Sequence, residues 1–155
     1  MIEIRPLAPE DVDAVIGAGL GLARLPLRRG ALYLVAWDGA RPLGHAHLSE
    51  GNPPEVGDVE VLPSRRGRGL GTALMHAAEQ EAAQRGNDRL RLTVSAAAAR
   101  PQSLYRRLGY VDTGLPPRRV KGTIQIRSGP LEVDDTLLTW EKDLRAVDSE
   151  PPRSS

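Results

Sequence analysis

Cysteine and phenylalanine are both missing from this chain of 155 residues. Without cysteine there is no disulfide, no thiolate metal site and no cysteine nucleophile. With aromatics at only 3% of the sequence, the core must be filled by aliphatic side chains and alanine. Scarce rings also remove the stacking platforms on which single-stranded nucleic acids lie. Charge of one sign is lacking too. The 21 basic and 20 acidic residues leave a formal net charge of +1, so no global basic field calls for nucleic acid. No window approaches the ~20 apolar residues of a membrane span. The first twenty residues carry acids and no long apolar run, unlike a secretory signal. The expectation is a cytoplasmic protein with neither a membrane nor a nucleic-acid partner.

The length and the 40% hydrophobic content fit one globular domain, expected over 1–145. The polar, proline-bearing residues 146–155 read as a disordered tail. Ile2 to Arg5 alternates at period two and reads as a strand. Pro9-Glu10-Asp11 opens a helix with proline first and acids at its positive end. Leu20 to Gly30 is the least legible stretch, read as a short second helix interrupted at Pro26. Ala31 to Trp37 is an apolar strand closed by the hairpin signal Asp38-Gly39. Leu43 to Ser49 and Val56 to Leu62 follow as strands.

The stretch from Val59 to Leu74 carries the chemistry. A short apolar strand meets Pro63, then a turn crowded with Arg65, Arg66, Arg68, Gly67, Gly69 and Gly71, then a helix beginning near Leu70. Glycine lets the backbone approach a ligand or take positive φ. The unpaired N–H groups of the helix start face the same turn, which makes an anion site best suited to phosphate. Thr72 stands where a dinucleotide fingerprint needs its third glycine, and no lysine is near, as a P-loop would require. In the helix, Leu70, Ala73, Leu74, Ala77 and Glu81 form one stripe. Glu79, Gln80, Gln84 and Arg85 face away from it, and Gly86-Asn87 caps the end.

Arg89 to Val94 is a strand with one buried face, completing a strand–helix–strand crossover. Pro101 opens a short helix carrying Leu104, Tyr105 and Leu108 and capped by Gly109, and Tyr110-Val111 begins a strand. Leu115 to Arg119 reads as a loop. Gly122 to Arg127 and Thr136 to Lys142 read as paired strands, joined through Ser128-Gly129-Pro130 and an acidic loop.

The turn resembles the acetyl-CoA turn of the GCN5-related N-acetyltransferases, the GNAT superfamily. That pattern is Arg or Gln, two residues, Gly, one residue, Gly or Ala, after a strand ending in Val-x-Pro. Arg66, Gly69 and Gly71 fill it, with Val61 and Pro63 upstream. Leu104-Tyr105-Arg106-Arg107-Leu108-Gly109-Tyr110 is similar to the family's Leu-Tyr-x-x-x-Gly-Phe/Tyr segment. The resemblance covers roughly Met1 to Leu144. It implies an α/β (α+β) fold with a mixed, mostly antiparallel sheet of about six to seven strands and about four helices. It also implies acetyl transfer from acetyl-CoA to a primary amine of a small molecule or peptide, without a metal.

On that resemblance the cofactor is held by Val59, Glu60, Val61, Arg66, Gly67, Arg68, Gly69, Leu70, Gly71 and Thr72. The strand ending at Pro63 splays from its parallel neighbour, and an N–H near Val61 polarises the thioester carbonyl. Tyr105 occupies the family's tyrosine position, and a phenol with an ordinary pKa of ~10 can protonate the leaving thiolate. Counting back from Val61 gives Glu55 as the base, with Asp58, Glu60, His45 and His47 as alternatives. His45 and His47 share a sheet face but lack a third ligand for a metal. Two departures stand out. Ala98 replaces a cofactor-contacting asparagine, and Thr93 replaces the glutamate of the ribosomal-protein branch. A non-catalytic acyl-CoA-binding module is therefore the alternative, an RNA-binding protein using Arg65 to Arg68 is a weaker one, and C-terminal edge strands offer pairing for a homodimer.

Overall fold

The computed structural model describes residues 1–126 and 129–145; the expected tail, and Arg127 and Ser128 of the hairpin link, lie outside them. Among the described residues eight strands form two sheets, with three α-helices and two short 3-10 turns, Pro9–Asp11 and Pro63–Arg65. The first sheet runs in chain order: β1 (Ile2–Pro6), β2 (Leu32–Asp38), β3 (Arg41–Leu48) and β4 (Val56–Val61), all antiparallel. Helix α1 (Val12–Gly17) lies between β1 and β2 in sequence. After β4 come α2 (Leu70–Gln84), β5 (Arg89–Ser95), α3 (Ala99–Arg107), β6 (Val111–Asp112), β7 (Arg118–Ile126) and β8 (Gly129–Asp143). In the second sheet the long β8 pairs with β5, β6 and β7.

β2 reads as a continuous apolar run because both its faces are covered. Leu34 and Ala36 join the core under α2, while Tyr33, Val35 and Trp37 join a second core with Val15 of α1 and Leu20 and Leu22. Alanine substitutes for bulk where α2 meets the sheet, with Ala36, Ala46, Ala78 and Ala82 all sealed. β5 buries Leu90, Leu92 and Val94 and turns its other face outward.

Three local expectations need correction. Leu20 to Gly30 forms no helix; its backbone N–H groups bond side chains of the sheet instead. The acidic run before Thr136 is not a loop but part of β8, and β7 begins already at Arg118. There Arg119 pairs with Asp134, Thr123 meets Glu132, and Ser95 donates to Asp135, so the acids gain cross-strand partners. Glu79 does not face solvent. It is 2% exposed and accepts hydrogen bonds from Tyr110 Oη and Lys142 Nζ, both at 2.9 Å.

Candidate active site

The two sheets meet at β4 and β5, and they barely touch. Among the described residues their one bridge is parallel, between Glu55 and Arg91, where Arg91 N donates to Pro54 O at 2.9 Å. Beyond it no further pairing joins the two strands among the described residues, leaving one edge of β4 unpaired toward its C-terminal end. Leu62 N bonds Leu43 O across to β3. By the alternation of an antiparallel ladder, Glu60 also turns its peptide groups to β3, while Val59 and Val61 turn theirs into the gap. Glu60 thus parts from Val59 and Val61, with which the sequence grouped it. Arg66 Nε bonds the Val61 carbonyl at 3.2 Å and clamps the start of the glycine turn against the strand.

In that turn Gly67 and Gly69 take φ of 78° and 80°, which side chains rarely adopt. A Cβ on Gly67, Gly69 or Gly71 would meet no other group within 4 Å. The first helical bond runs from Ala73 N to Gly69 O, and the N–H groups from Gly67 to Thr72 have no partner among the described residues. Leu70 anchors this end, its side chain buried under the first sheet. The turn is therefore an open row of donors at a helix start, with Arg68 beside it.

The other face of β4 carries carboxylates. Its pairing with β3 slips between His45 and His47, where Asp58, at φ 46°, is the extra residue of a bulge. Asp58 Oδ2 accepts from Tyr33 Oη at 2.5 Å and from Ala23 N at 3.1 Å. Glu60 Oε1 accepts from Gly21 N at 2.8 Å and lies 3.1 Å from Nε2 of the wholly buried His45. Leu22 N approaches the same Nε2 at 3.5 Å, and the shorter contact assigns the ring proton to Nε2, donated to Glu60. His45 Nδ1 then has no partner, so the ring has no other hydrogen-bonding task. Glu60 itself is 38% exposed, and its second oxygen has no hydrogen-bond partner among the described residues. His47 and His45 both meet the Tyr33 ring edge-on. Burial, and next the charge of Arg24, push the His47 pKa below the ordinary imidazole value.

A family model for the acetyltransferase (GNAT) family matches residues 9–110. The chain belongs to that family. An uncharacterized N-acetyltransferase of Mycobacterium tuberculosis (strain ATCC 25618 / H37Rv) is 30% identical over 141 residues, 87% of this chain and 85% of that protein. A streptothricin acetyltransferase of Streptomyces lavendulae is 38% identical over 68 residues, 44% of this chain but only 36% of the relative. The crystal structure of a GNAT family acetyltransferase from Elizabethkingia anophelis with acetyl-CoA bound shares the fold. Its TM-score is 0.70 at 15% identity, over 92% of this chain and 97% of that one. The protein is an acyltransferase of a family that uses acetyl-CoA and acts on small-molecule or protein amines.

In this GNAT chain Tyr105 sits on α3, half-buried against the main core, its ring 6.1 Å from that of Tyr110. Burial pushes its phenol pKa up, so it holds its proton at neutral pH. Among the described residues its hydroxyl has no hydrogen-bond partner, unlike that of Tyr110. Glu55 lies at the bridged end of β4, its N–H and carbonyl both bound to Ser49 and its carboxylate making no bond to a described residue. Sequence reasoning missed Tyr33, Gly21 and the bulge at Asp58. The signal for the last was available, since Gly57-Asp58 inside a strand pattern marks a bulge.

Among the described residues no helix is long and apolar enough to cross a membrane.

Proposed function

We propose that this GNAT protein is an acetyl-CoA-dependent N-acetyltransferase that modifies a primary amine by its direct attack on the thioester. One arrangement carries the reading: a strand gap closed at Glu55 and open beyond it, with the glycine turn at its mouth and Glu60 on the strand's opposite face. The open Cβ positions of Gly67, Gly69 and Gly71 and the free N–H groups through Thr72 fit a diphosphate. Arg68 and the remaining donors of Arg66 add charge there. Val59 and Val61 hold the acyl arm along the gap. When bound, acetyl-CoA supplies an acyl carbon joined to a sulfur that can leave.

The protein's own part is positioning and proton transfer. The Val61 N–H is the donor for the acyl oxygen as charge builds on it. Glu60, fixed by Gly21 and by His45, accepts the ammonium proton of the incoming amine through its free oxygen. The nitrogen–carbon bond forms as the carbon–sulfur bond breaks, and the Tyr105 hydroxyl gives its proton to the departing thiolate. The second proton, which the nitrogen sheds on becoming an amide, returns to the Tyr105 phenolate through solvent. His45 does not reach solvent and acts as a positioning residue. Glu55 is less suited to the role of base, because its carboxylate is unfixed and lies where the gap is shut.

The test is thiol release that requires both acetyl-CoA and an amine. Glu60→Gln should lower kcat by ~10²-fold or more, the usual weight of a positioned base. Glu55→Gln should stay within about threefold of the parent enzyme, a barrier change well under 1 kcal/mol. The reverse order would return the base to Glu55.

A further inference from the structure

A cleft of about 1320 Å³ opens beside the carboxylate face, between the segment that precedes β2 and the turn that follows β3. Arg24, Arg28 and Arg29 line it, with His47, Ser49 and Glu50. Among the described residues none of these three guanidiniums has a carboxylate within ion-pair distance. Glu50, the one acid in the lining, lies against Gly30. A chain of net charge +1 thus gathers three unpaired arginines around one cleft.

Arg24 is also held in place. Its N–H bonds Tyr33 Oη at 2.8 Å, and its neighbour Ala23 bonds Asp58. Its guanidinium crosses β4 at Gly57, with Nη2 3.8 Å from where a Cβ would stand. Gly57 pairs with His47 and Glu60 pairs with His45. Since those histidines are two residues apart on one face, the strand positions beside which the guanidinium and the Glu60 carboxylate lie are on the order of 7 Å apart. The arginine-lined cleft thus borders the face of β4 that carries Asp58 and Glu60, though neither acid lines it. An ammonium is attracted to those carboxylates and repelled by the arginines.

We propose that the acceptor is an amine that also carries an anionic group, a carboxylate or a phosphate, with the anion bound by Arg24 and the amine held at Glu60. This rests on the transfer to an amine proposed above. A guanidinium suits either anion through paired N–H donors. Arg28 and Arg29, exposed in the same lining, raise the local concentration of anionic ligands.

Matched amines test it: lysine against lysinamide, β-alanine against β-alaninamide, and phosphoethanolamine against ethanolamine. Each pair is measured twice on the full chain with acetyl-CoA, by thiol release, and with CoA, by calorimetric binding. The anionic member should show a KM and Kd at least about tenfold lower, the scale of one charge-assisted contact. The first two pairs against the third tell carboxylate from phosphate. Arg24→Gln should bring the ratio to about one, and Arg24→Lys should restore part of it. Turnover of both members of every pair with equal KM would overturn the anion site and leave the transferase reading standing. Preferential binding of the anionic members without thiol release would support the anion site and overturn the amine transfer. No preference in either measurement overturns the proposal.

Discussion

Tyr105 and Tyr110 stand five residues apart, ring against ring, yet their hydroxyls have different occupations. The Tyr110 phenol is buried and donates to Glu79, which together with burial pushes its pKa up; it is committed to the core. The Tyr105 phenol is pushed up by burial alone and has no partner among the described residues. A raised pKa keeps the proton on Tyr105 beyond the ordinary tyrosine value of ~10, so this acid contributes no loss of activity as pH rises through the neutral range. Tyr105→Phe removes the proton and keeps the ring. It should lower kcat by ~10²-fold while the KM for acetyl-CoA changes less than about threefold. Steady-state kinetics on both substrates checks this, and equal losses in kcat and cofactor affinity would make the phenol a packing group.

The helix α2 begins and ends on glycines of nearly the same conformation, which offers an internal control. Gly69 opens it at φ 80° and Gly86 closes it at φ 88°, and a Cβ on either would meet nothing within 4 Å. A valine at either position costs ~1–3 kcal/mol of backbone strain. Only at Gly69 does the added side chain enter the space in front of the free N–H groups. Gly69→Val and Gly86→Val should therefore be destabilised alike in thermal melts, while calorimetry finds CoA affinity reduced at least about tenfold in Gly69→Val alone. The open turn was legible because glycine spacing, the preceding strand and the following helix are all local signals. Leu20 to Gly30 was not, because its order comes from Glu60, Asp58 and Tyr33, distant in sequence, rather than from a period of its own. The acids of β8 were misread for the same reason, their partners lying across the strand. The base proposed above shared this difficulty: five titratable residues lie in one region of sequence, and the contacts that favour Glu60, to Gly21 and His45, have no local signature.

At the scale of the whole molecule, two sheets joined by a single bridge among the described residues need another tie to keep a gap of fixed width. Helix α2 supplies it. It packs Leu74, Met75, Ala78 and Ala82 into the main core, which both sheets share. It also sends Glu79 to Tyr110 and to Lys142 on β8. Glu79 and Lys142 are 63 positions apart, and no helical period reveals that a glutamate here is covered. Covering a carboxylate is costly, so removing its cation leaves a buried charge uncompensated, at ~3–5 kcal/mol. Lys142→Met should lose about that much stability in urea unfolding. Replacing both partners, Glu79→Leu with Lys142→Met, should recover at least half of the loss, because a buried pair exchanged for apolar groups no longer pays for desolvation. If the pair instead lies within reach of water in solution, Lys142→Met would cost under ~1 kcal/mol, as exposed pairs do, and the tie between α2 and the second sheet would rest on apolar packing alone.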